Sequence, residues 1–358
     1  MSIFNHPEFN QHEQVSFFQC DKTGLKAIIA VHNTSLGPAL GGCRMWSYES
    51  DEQALRDVLR LSYSMTYKAA ITGLPLGGGK SVIIGDAKKI KTPDLMRAMG
   101  RAVETFSGRY IIAEDVGTTV EDMNAIHSET KHVVGIPHSM EGTGDPSPTT
   151  ALGVYTGLKA AVRYRLHRSD MKGLKVAVQG LGNVGYNLCK LLAKDGVQLL
   201  VTDMQQEKVD LAVRELGAKA VSMNDIYSQD ADVFSPCALG AVLNDATIKS
   251  LKARVVAGAA NNQLSEARHG DMLRRLKILY APDYAINAGG LINVHYEHMS
   301  RMAGKAYDRA EVIAHVQKID GTAESIFRRA EQEGIATSAA ADCIAEQRFN
   351  ALNENQAA

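Results

Sequence analysis

The stretch from 174 to 203 constrains the fold more than any other part of this chain. LKVAVQ (174–179) has the composition of a strand and runs directly into GLGNVG (180–185), which opens a helical pattern; VQLLVTD (197–203) then reads as a second strand. A strand–turn–helix–strand unit with glycines at this spacing is the fingerprint of a dinucleotide-binding βαβ unit. Gly180 allows the tight turn, Gly182 lets backbone approach a pyrophosphate, and Gly185 permits close helix–strand packing. Asn183 and Val184 begin the helix, whose free N–H groups and positive dipole end suit phosphate oxygens. Asp203 closes the second strand, where a carboxylate can accept both ribose hydroxyls and would repel a 2′-phosphate. Met204 and Gln205 follow, with no Arg or Lys to favour a 2′-phosphate, so the cofactor expected is NAD.

Around this unit, the 358 residues are enough for two domains. Short strands (ADVFSP, VVAGAA, KILYAP) continue the alternation with helices, which implies an α/β fold with a doubly wound parallel sheet. IPHSMEGTGDPSPTT (136–150), with three prolines and two glycines, marks the domain boundary. From Tyr307 onward the pattern is helical, with amphipathic stretches at 308–333 and 338–354. The composition is 45% hydrophobic and 22% charged with net charge −1; no basic excess points to nucleic acid. No apolar run is long enough for a membrane span, and the N-terminus lacks a signal-peptide pattern. Five scattered cysteines without CxxC spacing read as reduced thiols of a cytoplasmic protein, not as a disulfide frame or a metal site.

The first third alternates strands and helices less plainly. LKAIIAVH (25–32) reads as a strand and LGPALGG (36–42) as a turn. Residues 51–69 read as a helix, with Ser50 and Gln53 placed as a capping box. GLPLGGGK (73–80) reads as a loop before the strand SVIIGD. Pro93–Phe106 reads as a helix, Tyr110–Ala113 as a short buried strand, and Thr119 as the cap of a further helix. On the 51–69 helix the apolar stripe Ala54, Val58, Leu61, Met65 reaches Lys68. A lysine there either points into a cleft toward an anion or snorkels out where the helix ends. GGGKS invites a P-loop reading, but Walker A spacing needs glycine at Leu74, and no strand ends just before the loop. Lys80, flanked by glycines, is accessible to a ligand; Asp115 stands at a strand end, where ligands of open α/β sheets bind.

MTYKAAITGLPLGGGKS (65–81), AEDVGTT (113–119), PSPTTALGVYTG (146–157), GLGNVG (180–185), GAANNQL (258–264) and NAGGLINV (287–294) resemble, in order, the glutamate/leucine/phenylalanine/valine dehydrogenase family, most closely its leucine dehydrogenase branch. The resemblance implies an N-terminal α/β substrate domain completed by C-terminal helices, at 1–140 plus about 330–358, and an NAD-binding Rossmann domain at 141–329. It implies that Lys68 binds the substrate α-carboxylate and that Lys80 is the general base, with a depressed pKa. Asp115 would relay protons to and from the amino group. Thr150 and one of Asn261 or Asn262 would contact the nicotinamide ribose or amide.

The family's glutamate-specific members place a lysine where this chain has Leu40, in Gly37-Pro-Ala-Leu40-Gly41-Gly42. Leu40 and Gly41, with Met65, Ala113, Leu291 and Val294, would therefore line an apolar side-chain pocket. The expected reaction is reversible, NAD-dependent oxidative deamination of leucine, valine or isoleucine to the 2-oxo acid and ammonia. Ala69 after Lys68, Leu291 and the His295-Tyr296 pair leave phenylalanine or tryptophan open as alternatives. The resemblance also implies a homo-oligomer, from dimer to octamer. A non-enzymatic NAD-sensing regulator is the reading from another class; it would not need Lys68, Lys80 and Asp115 together.

Overall fold

The computed structural model describes residues 3–137 and 142–356; the expected boundary at 140/141 lies outside them. By packing, the chain divides into two compact units: 1–145 with 293–308 and 345–358, and 146–292 with 309–344. The tail is thus shared between them, with residues 330–344 packed in the second unit and not with the N-terminal segment as expected.

The first unit follows β1 (Gln14–Cys20), β2 (Leu25–Asn33), β3 (Ala39–Trp46), α1 (Asp51–Ile71), β4 (Gly77–Ile84), α2 (Ala87–Ile90), α3 (Pro93–Glu104), β5 (Tyr110–Glu114) and α4 (Val120–His127). The strands form one mixed sheet in the order β1-β2-β4-β3-β5. β1, β2 and β4 pair antiparallel; β4, β3 and β5 pair parallel. Helix starts follow local chemistry. Ser50 accepts from Gln53 N at 3.2 Å, although the Gln53 side chain reaches Glu49 N and so does not close the expected box. Thr92 caps α3 ahead of Pro93, and Thr119 and Asp122 form a reciprocal capping box on α4.

Two expected loops are strands. Residues 39–46 form β3 and GGGK lies on β4, because their glycines answer close packing and not turn geometry. A Cβ on Gly78 would lie 2.2 Å from Thr66 N of α1, and one on Gly79 would lie 2.7 Å from the Tyr110 ring. A Cβ on Gly41 would lie 1.7 Å from Gly79 O. β4 is therefore squeezed between α1 on one face and Tyr110 on the other. The deeply buried positions of α1 include Ala54, Val58, Ser62 and Thr66, while Leu61, Met65 and Lys68 are half-buried beside them; the stripe that touches the sheet is one step round from the apolar one. On that face Ile28, Ala30, Val58, Leu59 and Val82 pack together. The other face packs Ile29, Val31, Met45, Ile83 and Ile112 with α3 and α4 residues such as Met99, Val103 and Met123. Burial of this kind contributes roughly 1.5–3 kcal/mol per large aliphatic side chain.

The second unit follows α5 (Ser147–Leu166), β6 (Lys175–Gln179), α6 (Asn183–Lys194), β7 (Gln198–Thr202), α7 (Gln206–Leu216), β8 (Lys219–Ala220), β9 (Val233–Pro236), α8 (Asp245–Ser250), β10 (Val255–Val256), α9 (Arg268–Arg275), β11 (Leu279–Tyr280) and α10 (Asp283–Ile286). The last helices are α11 (Gly289–Met302), α12 (Arg309–Gln317), α13 (Ile319–Glu333) and α14 (Thr337–Gln356). The sheet is all parallel in the order β11-β10-β9-β6-β7-β8, the doubly wound arrangement expected. The order reverses between β6 and β9, where such sheets hold ligands at the strands' carboxyl ends. All five cysteines are free; burial pushes the Cys43 thiol up to about 12, consistent with inert packing. Among the described residues, no helix is long and apolar enough to cross a membrane.

Candidate active site

Strand parity assembles the first-unit site. Register pairs Leu40 with Gly78 and Ile111, Gly42 with Ala113, and Arg44 with Val82. Because side chains alternate along a strand, Leu40, Arg44, Lys80, Ala113 and, just beyond β5, Asp115 share one face. That is the face α1 covers, and α1 carries Met65 and Lys68. Gly41 points the other way: its carbonyl accepts from the buried Tyr110 hydroxyl at 2.8 Å.

Lys80 is only 6% exposed and its Nζ donates to Asp115 Oδ2. An ammonium this deep needs an anion, and Asp115 supplies it. Arg44 Nε lies 3.3 Å from the same carboxylate oxygen, while Arg44 Nη1 donates to Asp57 at 3.0 Å. Tyr48 donates to Asp57 at 2.6 Å; burial and that bond push its phenol up, so it stays a neutral donor. Burial alone would raise the Asp115 carboxyl, but Lys80 and Arg44 outweigh it and hold it at about 2. Asp115 is therefore ionised at any physiological pH. Its loop is fixed from behind: Asp115 N donates to Thr118 Oγ1 at 2.9 Å, and Thr118 Oγ1 donates to Cys43 O at 2.9 Å. Arg44 was not foreseen, because 36–42 reads as a turn and gives no face on which 40, 42 and 44 align. Leu40 and Val294 are buried in this unit; Leu291 is buried in the second.

The remaining expected residues lie in the second unit. Gly180 has φ +102° and a Cβ there would meet Ala238 at 2.7 Å; a Cβ on Gly185 would lie 2.1 Å from Gly180 O. Gly182 differs: nothing lies within 4 Å of its Cβ position, so its surface is open to a ligand. α6 begins there with no side-chain cap, leaving the N–H groups of Asn183 and Val184 available to an anion. Asp203 Oδ2 accepts from Leu181 N at 2.6 Å and Oδ1 from Gln205 N at 2.9 Å. Each oxygen keeps a lone pair for a ribose hydroxyl.

Thr150, in the first turn of α5, donates to Pro146 O at 3.1 Å. Asn261 and Asn262 are exposed, Asn262 with φ +52°. Asn287 donates to Asn261 Oδ1 at 2.8 Å and to Ala259 O at 3.1 Å, while its own Oδ1 is buried without a hydrogen-bond partner. A buried amide oxygen left this way asks for a donor from outside the protein. The orphaned amide, the open glycine and the uncapped helix together fit a bound dinucleotide. One trio, Asp245, Glu266 and His269, has metal-like spacing among the described residues, but Arg268 already binds both carboxylates.

Residues 12–132 match the family model described as Glu/Leu/Phe/Val dehydrogenase, dimerisation domain, and residues 198–356 match that described as Glutamate/Leucine/Phenylalanine/Valine dehydrogenase. The chain is 51% identical to leucine dehydrogenase of Bacillus subtilis over 99% of its own length and 96% of the relative's. It is 49% identical to L-tryptophan dehydrogenase of Nostoc punctiforme over 98% and 97%. The crystal structure of L-tryptophan dehydrogenase from that organism superposes with a TM-score of 0.83 at 47% identity, covering 96% of this chain and 97% of that one.

Proposed function

The chain belongs to the glutamate/leucine/phenylalanine/valine dehydrogenase family and is an amino-acid dehydrogenase, an oxidoreductase; from that premise we propose that it oxidatively deaminates an apolar aliphatic L-amino acid, leucine, valine or isoleucine, with NAD as cofactor. The observation that carries the reading is the buried Lys80–Asp115 pair on a sheet face whose substrate-side neighbour is the aliphatic Leu40.

In this reading Lys68, in the last turn of α1, holds the α-carboxylate. A bound nicotinamide supplies the acceptor for the hydride that leaves Cα. Lys80, once its own ammonium proton has passed to bulk water, takes the proton of the water that adds to the resulting iminium carbon, and collapse of that adduct releases the 2-oxo acid and ammonia. Asp115, in contact with Lys80, passes protons to and from the amino group and keeps the lysine in place. The GLGNVG turn and the start of α6 hold the pyrophosphate, Asp203 the ribose hydroxyls, and Thr150, Asn261 or Asn262 and Asn287 the nicotinamide end. Leu40 offers no cation to a second carboxylate, so glutamate would bury an unpaired charge at a cost of several kcal/mol. The family's oligomeric habit and a cytoplasmic location complete the proposal.

An aromatic substrate is the second reading, favoured by the near-equal identity to an L-tryptophan dehydrogenase. NADH formation over leucine, valine, isoleucine, phenylalanine, tryptophan and glutamate separates the readings. Highest kcat/KM on a branched aliphatic substrate is expected; preference for an aromatic one would replace leucine, and preference for glutamate would refute the Leu40 argument. Lys80→Ala should abolish turnover while NADH binding, followed by its fluorescence, persists.

A further inference from the structure

At the end of the second sheet opposite the GLGNVG turn, the starts of β10 and β11 and the ends of α5, α8 and α9 line a solvent-open cavity of about 570 Å³. Six cationic side chains line it: Arg165, Lys249, Lys252, Arg254, Arg275 and Lys277, with no carboxylate among the lining residues. Among the described residues none of the six forms an ion pair, although Lys252 lies near enough to Asp230 to help Lys175 lower its carboxyl. By contrast Arg163, Arg268, Arg274 and Arg328 of the same unit each hold a carboxylate. The chain carries 40 acidic residues against 39 Lys and Arg, so a ring of unpaired cations is not forced by composition. Like charges held around one cavity repel, and that repulsion is relieved by a bound polyanion.

Two of the six are anchored by bonds to backbone carbonyls. Arg165 Nη2 donates to Lys277 O at 2.5 Å and Arg254 Nη2 to Arg165 O at 3.4 Å. Lys277 sits in the left-handed region at φ +58°, a conformation a non-glycine residue keeps only when its surroundings impose it. Arg165 Nε is buried with no hydrogen-bond partner in the protein. The lining is also apolar in part: Met272 and Leu276 contribute to it, and Leu276 is 50% exposed. An inorganic anion alone has no use for that surface.

We propose that this cavity binds an organic polyphosphate of the nucleoside polyphosphate class, separately from the dinucleotide site. The phosphates would take charge-assisted hydrogen bonds from the arginines and lysines, and the base would lie on Leu276 and Met272. The test is calorimetric titration of the whole protein, with NADH saturating the dinucleotide site, using ATP in one arm and inorganic tripolyphosphate in the other. ATP should bind once per chain, more tightly than tripolyphosphate, and more weakly as salt rises toward ~0.15 M, where charges are screened beyond about 8 Å. The surface substitutions Lys252→Glu with Arg275→Glu should weaken ATP by at least roughly tenfold, with NADH affinity and turnover unchanged; Lys252→Gln with Arg275→Gln should weaken it less. No ATP binding under saturating NADH, or affinity unmoved in both pairs, would overturn the proposal. Equal affinity for the two ligands would overturn its organic part.

Discussion

Arg44 is the residue whose removal discriminates best between a structural and a chemical role for the Lys80–Asp115 pair. It contacts both Asp115 and Asp57 and helps hold the Asp115 carboxyl at about 2, below its ordinary 3.8. Arg44→Gln should move the acid limb of the kcat/KM profile to higher pH and lower kcat/KM on the order of 10–100-fold through misplacement of Asp115; Arg44→Lys should restore part of both. A loss of activity with an unmoved acid limb would mark Arg44 as a packing residue only. Because the folded-state value is depressed, Asp115 contributes stability above pH ~4 that is lost as pH falls through about 2. In Arg44→Gln that loss should begin at higher pH, which acid-unfolding curves measured by circular dichroism would show. Leu40→Lys tests the specificity argument at one side chain: it should raise kcat/KM for glutamate relative to leucine, and an unchanged ratio would separate Leu40 from the substrate pocket.

Elements were legible in the sequence to the degree that their determinants are local. The β6–α6–β7 unit is written in adjacent residues, and so is the cap at Thr119; the structure shows these elements where the sequence places them. β3 and the start of β4 read as turn and loop in the sequence, because Gly41, Gly78 and Gly79 are small for the sake of residues far along the chain. The same cause hid Arg44, while Lys80 and Asp115 were visible through their neighbours and through family resemblance. Two substitutions of like chemistry should therefore part company. Gly78→Ala drives a methyl into Thr66 and should cost about 1–3 kcal/mol of stability, read as a lower thermal midpoint. Gly182→Ala meets no atom within 4 Å and should leave the midpoint alone while weakening NADH binding. A fall in stability for Gly182→Ala would remove the argument that its surface is kept open for a ligand.

For the molecule as a whole, one edge of the first sheet is open. Among the described residues β1 pairs only with β2, and Phe17 on it is 62% exposed. A strand edge with an exposed aromatic is a liability that proteins cover, and residues 12–132 match a model described as a dimerisation domain. Light scattering coupled to size-exclusion chromatography should find a species larger than one chain, and Phe17→Asp should shift it toward the single chain. A wild-type protein with the mass of one chain at micromolar concentration would contradict this.

The glycine run of β4 has a further consequence, for how this enzyme could diversify. Gly77 faces the carbonyl of Asn33, Gly78 the backbone of Thr66 and Gly79 the ring of Tyr110, so each is blocked by a different neighbour. No single compensating change frees all three, and mutational drift along that strand is closed. If the proposed substrate pocket is right, new preferences would have to arise from the elements around it, through residues such as Leu40, Met65, Ala113 and Val294, which leaves the lysine at the end of the run as a fixed point about which specificity can change.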